Sequence, residues 1–467
     1  MISSLRQRKL MYQEILKKEW KLFEASAKQQ EMHEEMPDSF FDTVTCVMAP
    51  VMYLFVDWVL KSAVEAGHKR LYFLARDGYS MYEVAKILCK KRNLPLECCY
   101  LYCSRYALRT AQYHLLLEES LEYICLGGIE ITAQKVMRRS GLNPLDCNEI
   151  LNDMGLSESR HEVLSAGELA DLKEKLRKNN TFLKRVYDNS KEKYQDTIAY
   201  LKQEGLLQRK DNLEEPLFAL VDSGWTGSMQ KTLAQLLGSQ GNTKKIEGYY
   251  FGLYEYPKDV DELTYHTFYF DPGTGLRKKV YFSNSLFECI YSAPHGMTTG
   301  YKKQQQDTQV RYLPVFEKIK NPNGKNIENS TKLLVEYAEL ISDSPLEEGT
   351  SLYKEKKDRG RLVSQLFYYF MGHPTVEEAY VFGNYIFCDD VIDEGEQRVA
   401  AKLTRKEIQS NFLLPKTINL LKGKPTKESA WLQSSVTLYN QKEARDIWHV
   451  TLYKYVLYIR KRIKRGN

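Results

Sequence analysis

The chain has 467 residues, and 43% of them are hydrophobic, which is enough to bury one large core or two ordinary ones. Its net charge of +6 is small for this length and is spread over both signs, so nucleic acid is not the indicated partner. The nine cysteines, an odd number, and an N-terminus without an apolar run predict reduced thiols, no secretory signal and no membrane span, and therefore a cytoplasmic protein.

The first predicted elements are helices. Residues 5–35 carry Lys, Glu, Gln and Leu at helical spacing, so we predict a leading N-terminal helix within residues 1–40. An apolar helix is predicted over residues 51–66, and Gly67 after it is a typical helix stop. The first strand of an α/β core, which we predict to span residues 41–301, follows directly.

Two segments of this core share one design: an apolar strand, a polar turn that contains glycine, and an amphipathic helix. They are residues 70–85 (RLYFLARDGYSMYEVA) and residues 217–231 (LFALVDSGWTGSMQK). A strand that enters a helix through a tight turn leaves the first N–H groups of that helix unpaired, and these groups can hold an anion at the carboxyl edge of a parallel sheet. We therefore predict that the chain binds a phosphorylated small molecule.

Further strands are predicted on both sides of a long helical segment. The strand at 96–103 ends in the polar junction 104–109 (SRYALR), which we expect near the first turn. Residues 111–212 are charged and predict a helical insertion in the core. The sheet then resumes, and residues 246–254 predict another core strand.

The core is predicted to close with residues 281–301, an apolar segment that contains one acid, Glu288, and a loop with His295. Residues 302–467 are predicted to be mostly helical. They end in an apolar stripe followed by a basic cluster at 460–465. This end is either a last core helix with a solvated basic tip or a peripheral contact with the inner face of a membrane, and the first interpretation is favoured.

The candidate site residues lie where predicted strands meet helices or loops. The candidate catalytic residues are acids and a base in those positions, namely Asp77, Asp222, His295 and Glu288. The candidate substrate-binding residues offer a positive charge, a hydroxyl, an aromatic ring or a close backbone approach, and they are Arg76, Gly78, Ser104, Arg105, Arg109, Ser223, Gly224, Trp225, Thr226, Gly227 and Ser228.

A metal is expected only as Mg²⁺, which prefers carboxylate ligands. The candidate ligands are Asp77, Asp222, Asp389 and Asp390, although acids in such positions commonly serve as helix caps. Nothing in the sequence indicates an organic cofactor. The oligomeric state is not indicated either.

Two enzyme templates match parts of the two turns. The turns resemble those with which type I phosphoribosyltransferases hold pyrophosphate and ribose 5-phosphate, except that Asp222 is followed by Ser223 where that motif has a second acid. Haloacid dehalogenase-type phosphatases also use an Asp at a strand tip as nucleophile. They carry a general acid two residues later, where this chain has Tyr79 and Gly224.

Four ordered motifs extend the second resemblance to a family. The chain resembles bacterial proteins labelled predicted hydrolases of the haloacid dehalogenase (HAD) superfamily, in the region that follows the phosphatase domain of the longer members. The match covers about residues 42–301, in FLARDGY (73–79), YCSRYALR (102–109), VDSGWTGSMQ (221–230) and SAPHGMTTGY (292–301). The resemblance implies a role in surface-polysaccharide metabolism.

We therefore predict an α/β protein with a Rossmann-like, mostly parallel, doubly wound sheet, a helical insertion and a helical C-terminal region. The leading functional hypothesis is a HAD-like hydrolase or phosphotransferase that acts on a phosphosugar or nucleotide-sugar. The alternatives are a phosphoribosyltransferase-like or glycosyl-transferring enzyme and a non-catalytic adaptor that binds a phosphosugar. The absent second acid counts against phosphatase chemistry.

Overall fold

A five-stranded parallel sheet forms the centre of the fold. The computed structural model describes residues 2–33, 38–128, 131–207, 217–306, 309–317, 321–342, 352–387, 397–422, 424, 426–439 and 444–466. The strands of the sheet are β1 (Arg70–Leu74), β2 (Glu97–Leu101), β3 (Phe218–Trp225), β4 (Glu247–Leu253) and β5 (Tyr265–Phe270), and their order is β2-β1-β3-β4-β5. The predicted α/β class with a parallel sheet is confirmed, and β5 adds an edge strand to the predicted set.

Helices surround this sheet. Those before β3 are α1 (Ile2–Leu16), α2 (Trp20–Met32), α3 (Ser39–Thr43), α4 (Ala49–Glu65), α5 (Gly78–Arg92), α6 (Arg105–Gln112), α7 (Leu117–Ile124), α8 (Ala133–Arg139), α9 (Pro144–Asp153), α10 (Ala166–Lys178) and α11 (Asn180–Gln203). Those after β3 are α12 (Ser228–Gly238), α13 (Leu276–Val280), α14 (Asn284–Tyr291), α15 (Gly324–Ser342), α16 (Leu352–Phe367), α17 (Val376–Gly383), α18 (Arg405–Ser410), α19 (Leu413–Leu421), α20 (Leu432–Tyr439) and α21 (Ala444–Gly466). Two antiparallel pairs lie outside the main sheet, β6 (Thr298–Gln306) with β7 (Gln309–Phe316) and β8 (Ile386–Phe387) with β9 (Gln397–Arg398).

Both faces of the sheet are covered, because successive side chains of a strand point to opposite faces. Phe73 and Val221 pack with α4, α5 and α14 on one face. Tyr72 and Leu220 pack with α11 and α12 on the other. The helices of the predicted insertion, α7 to α11, also have an apolar core of their own around Phe182.

Helix α4 is the most apolar helix against the sheet. The continuous helical stretch Ser39–Glu65 is long and apolar enough to cross a membrane, with a hydropathy of 1.7, but 94% of its apolar window is buried inside the protein. Phe55 packs against the rings of Phe251 and Phe268, with centroids 5.5 and 5.8 Å away. The apolar surface of α4 therefore packs against the sheet.

The N-terminal segment differs from the single helix predicted for it. It forms two helices, α1 and α2, separated by a break at residues 17–19. Tyr12 is buried, and its hydroxyl donates a hydrogen bond of 2.5 Å to Glu378 of α17. Gln29 of α2 donates to the carbonyl oxygen of Leu333. Both helices therefore pack on the C-terminal part of the chain.

The segment after Tyr301 is not helical as predicted. Residues 298–306 and 309–316 pair as the antiparallel strands β6 and β7, which we call the hairpin β6–β7, and the first helix described after them is α15. Tyr301 is buried and stacks on Tyr200 of α11 at 4.1 Å between ring centroids. The exposed Lys and Gln side chains of β6 resemble a polar helical surface, which is why the pattern was misleading.

Candidate functional site

Three carboxyl groups lie together at the carboxyl edge of the sheet. Asp77 lies between β1 and α5, Asp222 lies in β3, and Glu288 reaches the same place from α14. Asp77 raises the pKa of both Asp222 and Glu288, and Glu288 also raises the pKa of Asp222, so the three groups are close enough to interact. The strand order reverses between β1 and β3, and ligands of open α/β sheets bind at such a reversal.

The carboxylate of Asp77 is oriented by the neighbouring strand. Aspartate in this position most often caps the following helix, but the Asp77 side chain makes no capping hydrogen bond to α5. Instead it accepts a hydrogen bond from the hydroxyl of Ser223, which is buried. The side chain predicted to contact substrate at Ser223 therefore positions Asp77.

Burial dominates the electrostatics of the three acids. It raises the pKa of Asp222 to about 8, with the charges of Asp77 and Glu288 adding to the effect. It raises the pKa of Glu288 to about 7, against the attraction of Arg105 and Arg76. It also raises the pKa of Asp77, although the Ser223 hydrogen bond opposes this. The cluster therefore holds a proton near neutral pH, as a general acid must.

Asp57 of α4 is a buried carboxylate with a structural role, and its pKa can be compared with those of the three acids. Its oxygens lie 2.5 Å from Arg92 and Arg359 and 3.2 Å from Lys61. Burial opposes its ionisation, but the three cations outweigh this and lower its pKa. The acids at the sheet edge have the opposite shift, which is more typical of a functional site than of an ion-pair network.

Two arginines flank the acids without pairing with them. Arg76 is half-buried and precedes Asp77, whereas Arg105 is exposed at the start of α6. Both lower the pKa of Asp77 and of Glu288, so both lie within electrostatic reach of the cluster. Among the described residues neither guanidinium takes part in an ion pair or hydrogen bond. Both are therefore available to an anionic ligand.

Arg109 lies one turn after Arg105 in α6. Its guanidinium lies over the ring of Tyr123, 3.8 Å from the centroid, and burial lowers its pKa. It lines a cavity of about 260 Å³ between α6, α7 and the first turns of α12. Ser228 and Lys231 line the same cavity, whereas Asp77, Asp222 and Glu288 do not.

Trp225 holds Glu288. Its indole Nε1 donates a hydrogen bond of 2.5 Å to a carboxyl oxygen of Glu288. Trp225 has a φ of +68°, which is unusual and strained for a residue with a side chain. The ring packs between Phe282 and Phe287, so it is not a free stacking surface for a sugar. The strained backbone directs the indole N–H to the carboxyl group.

His295 borders the site on the β2 side. Its Nδ1 donates to the carbonyl oxygen of Gly296 and its Nε2 lies 2.8 Å from the hydroxyl of Tyr100. Burial lowers the pKa of His295, and the charge of Arg76 lowers it further. The neutral ring therefore accepts the Tyr100 hydrogen bond at Nε2. Its base nitrogen is occupied by Tyr100, so His295 supports the site's wall.

The polar turn predicted within residues 217–231 is short, because β3 continues to Trp225 and pairs with β4. A Cβ on Gly224 would lie 2.4 Å from the carbonyl oxygen of Gly252, and one on Gly227 would lie 2.7 Å from the ring of Tyr265. Both glycines have positive φ, so packing and backbone conformation require them. Thr226 and Ser228 remain at the start of α12, with their hydroxyl oxygens 3.3 Å apart.

Two other predicted contact residues have structural roles. The Ser104 hydroxyl caps α6 by accepting from the N–H of Ala107, and it donates to the carbonyl oxygen of Thr298. Gly78 packs tightly, since a Cβ there would lie 3.0 Å from the backbone of Phe73. These residues shape the edge of the site.

Two residues near Arg76 lie outside the predicted set. Tyr100 of β2 bonds to His295, and the Asp77 charge adds to the burial that raises its pKa. Glu317 follows β7, and burial raises its pKa, although the charge of Arg76 opposes this. Tyr100 could have been found from its alternation in a strand that ends at the site. Glu317 has no local signal, because only the hairpin brings it there.

The metal candidates are only partly described. Asp389 and Asp390 lie outside the described residues. Within the described ranges no group of three His, Cys, Asp or Glu side chains is arranged to hold a metal ion. Asp77 and Asp222 do offer the carboxylate oxygens that Mg²⁺ prefers. Mg²⁺ binding therefore stays a prediction.

The raised pKa values predict a pH-dependent penalty on folding. The pKa of Asp222 is higher in the folded than in the unfolded chain, so its contribution to stability is complete below about pH 4 and is lost as the pH rises through about 8. We expect Asp222→Asn to gain stability relative to the wild type between pH 5 and pH 9, by urea unfolding. The exposed Asp188→Asn control should show a constant difference; a constant difference for Asp222→Asn would contradict the burial of a protonated acid.

Comparison with known proteins adds no family to these observations. No protein-family model matches the chain, and no curated protein shows a significant match.

Proposed function

We propose that this chain is an enzyme that acts on a phosphate ester, as a hydrolase or phosphotransferase for a phosphosugar or nucleotide-sugar. One observation carries the proposal: three half-buried acids with raised pKa values lie beside two arginines that pair with no described residue, at the carboxyl edge where the strand order reverses. The arginines bind the phosphate oxygens and the acids supply the chemistry.

In this proposal Asp77 and Glu288 have different catalytic roles. Asp77, oriented by Ser223, attacks phosphorus as the nucleophile, and the bond from phosphorus to the leaving oxygen breaks. Glu288, with a pKa of about 7, gives its proton to the leaving oxygen and later takes one from the water that cleaves the acyl phosphate. In a phosphotransferase an acceptor hydroxyl replaces that water. HAD-type phosphatases carry this general acid two residues after the nucleophile, where this chain has Tyr79. In the proposed mechanism Glu288 of α14 takes that role.

Three finer assignments belong to the same proposal. The covered faces and the reversal between β1 and β3 support a Rossmann-like, doubly wound sheet of the kind used by HAD-like enzymes. Mg²⁺, held by Asp77 or Asp222 together with water and substrate phosphate, would neutralise charge on the transferred group. The substrate belongs to surface-polysaccharide metabolism, as the resemblance of the four motifs implies.

The proposal predicts a ligand-dependent rise in thermal stability. Sugar phosphates, nucleotide-sugars and phosphoribosyl pyrophosphate are screened with and without Mg²⁺, and a ligand at about 100 times its Kd should add roughly 2.7 kcal/mol. Arg105→Ala should weaken binding of the hit by about 10- to 100-fold, because a charge-assisted contact to phosphate is lost.

The matched control for this screen is Arg311→Ala, which removes an exposed arginine from β7. It should bind the hit as the wild type does. Release of inorganic phosphate from the hit distinguishes the enzyme from a phosphosugar-binding adaptor. A hit with transfer of a ribosyl or glycosyl group would instead support the transferase alternative, and no hit across the panel would contradict phosphate binding.

A further inference from the structure

Helices α19 and α21 present a surface that is apolar, basic and exposed. On α19 the side chains of Leu414 and Leu421 are 73% and 84% exposed, and Ile418 between them is also exposed. On α21 Trp448 is 58% and Ile463 62% exposed, with Val456 and Ile459 exposed between them. We call these seven side chains the apolar stripe.

The stripe follows helical spacing on both elements. Leu414, Ile418 and Leu421 are separated by four and three residues, which places them on one side of α19. On α21 the spacing from Val456 to Ile459 and Ile463 is three and four. The two helices lie against each other, since Phe412 stacks on His449 at 4.6 Å and Lys416 lies over the ring of Tyr453. The stripe is therefore contributed by two helices that contact each other.

The charge around the stripe is mainly positive, although Glu428 lies 2.6 Å from Lys416 of α19. Residues 411–427 and 447–467 contain no Asp or Glu. Arg460, Lys461 and Arg462 are exposed on α21, and Lys422 and Lys424 are exposed beyond the end of α19. A basic helix with Trp and aliphatic residues on its apolar side is typical of segments that lie in the interface of an anionic bilayer.

Charge also argues against a second copy of the chain as the occupant. A twofold contact pairs a surface with itself, so it would bring the basic residues of one copy toward those of the other. Such a contact would be opposed by like-charge repulsion, whereas anionic lipid headgroups attract the same residues.

The inner side of α21 connects this surface to the site. Tyr458 stacks on Tyr254 with ring centroids 5.7 Å apart, and Tyr254 lies 6.0 Å from the ring of Trp225, which bonds Glu288. We propose that α19 and α21 dock on an anionic membrane surface through the apolar stripe and its basic flank. Docking then holds the edge of the sheet near the lipid headgroups.

The proposal is tested by sedimentation of the full chain with vesicles. We expect binding to vesicles of phosphatidylcholine with phosphatidylglycerol and at least tenfold weaker binding to phosphatidylcholine alone, with affinity that falls as salt rises. Ile459→Glu with Ile463→Glu should weaken binding at least tenfold, and so should Arg460→Glu, Lys461→Glu and Arg462→Glu together. Both variants change only exposed side chains, and unfolding curves verify that they fold.

Two controls carry matched changes elsewhere. Leu263→Glu replaces an apolar residue that is 85% exposed, and Lys175→Glu with Lys178→Glu reverses exposed charges on α10. Both should bind vesicles as the wild type does. Absence of binding, equal binding to neutral vesicles, or equal losses in the controls would overturn the proposal. So would a concentration-dependent dimer that Ile459→Glu and Ile463→Glu abolish without any vesicle binding. The sedimentation assay measures vesicle binding and not phosphate-ester turnover, so its result is independent of the proposed function.

Discussion

Asp77→Asn is expected to abolish release of phosphate from the ester while the protein remains folded. Asparagine keeps the size of the side chain and can still accept the Ser223 hydrogen bond, but it cannot act as an anionic nucleophile. We expect kcat/KM to fall by at least about 10³-fold. Thermal stability should be unchanged or higher, because the half-buried carboxyl group that raises the pKa of both Asp222 and Glu288 is removed. Phosphate release and Tm are the two measurements.

Glu288→Gln and Asp188→Asn complete this experiment. Glu288→Gln should lower kcat by about 10²- to 10⁴-fold and remove the limb of the pH profile near pH 7 that the carboxyl group supplies. Asp188 is exposed in α11, so Asp188→Asn should be fully active. Full activity of Asp77→Asn would rule out its role as nucleophile. A wild type that binds ligands without turnover would favour the adaptor.

Asp57→Asn is expected to destabilise the fold by about 3–5 kcal/mol, as measured by urea unfolding. The carboxylate of Asp57 is buried and pairs with Arg92 and Arg359, whose side chains are also buried. The amide removes the negative charge and leaves two guanidinium groups in the interior without it. Glu355, 2.7 Å from Lys61, compensates for only part of this loss.

The control for Asp57→Asn is Asp358→Asn, which breaks an exposed pair with Arg361 and should cost less than about 1 kcal/mol. The pH dependence gives a second check. The pKa of Asp57 is lowered in the folded chain, so its stabilisation is complete above the unfolded value of about 3.9 and is lost as the pH falls through the folded value. The difference between the wild type and Asp57→Asn should be constant from pH 6 to 8 and shrink below pH 4. A small, pH-independent difference would contradict the ionic network.

Local sequence patterns predicted the parallel strands. They failed where contacts between distant residues determine the secondary structure. The strands β1 to β4 were predicted because each is a short apolar run bounded by a turn or glycine. The hairpin β6–β7 was missed because its exposed side chains are Lys and Gln, and its strand character comes from pairing and from the contact of Tyr301 with Tyr200.

The sequence predicted which acids form the candidate site, but not the hydrogen bonds that orient them. Asp77 and Asp222 follow from the rule that parallel strands end at one edge, and Glu288 stood out as an acid in an apolar segment. The bond from Ser223 to Asp77 and the bond from Trp225 to Glu288 join residues 146 and 63 positions apart. No spacing in the sequence indicates such pairs, so these side chains were predicted as ligand contacts.

The packing of α1 on α17 has a consequence for biosynthesis. Tyr12 and Glu378 are 366 positions apart, so a ribosome that adds about 5–20 residues per second completes the second partner roughly 20–70 s after the first. During that interval the apolar surface of α4 also lacks Leu334, Tyr337 and Phe367, which pack in its core only later. The nascent chain therefore exposes an aliphatic and aromatic surface for tens of seconds. We expect a molecular chaperone to bind this surface until the C-terminal partners have been synthesised.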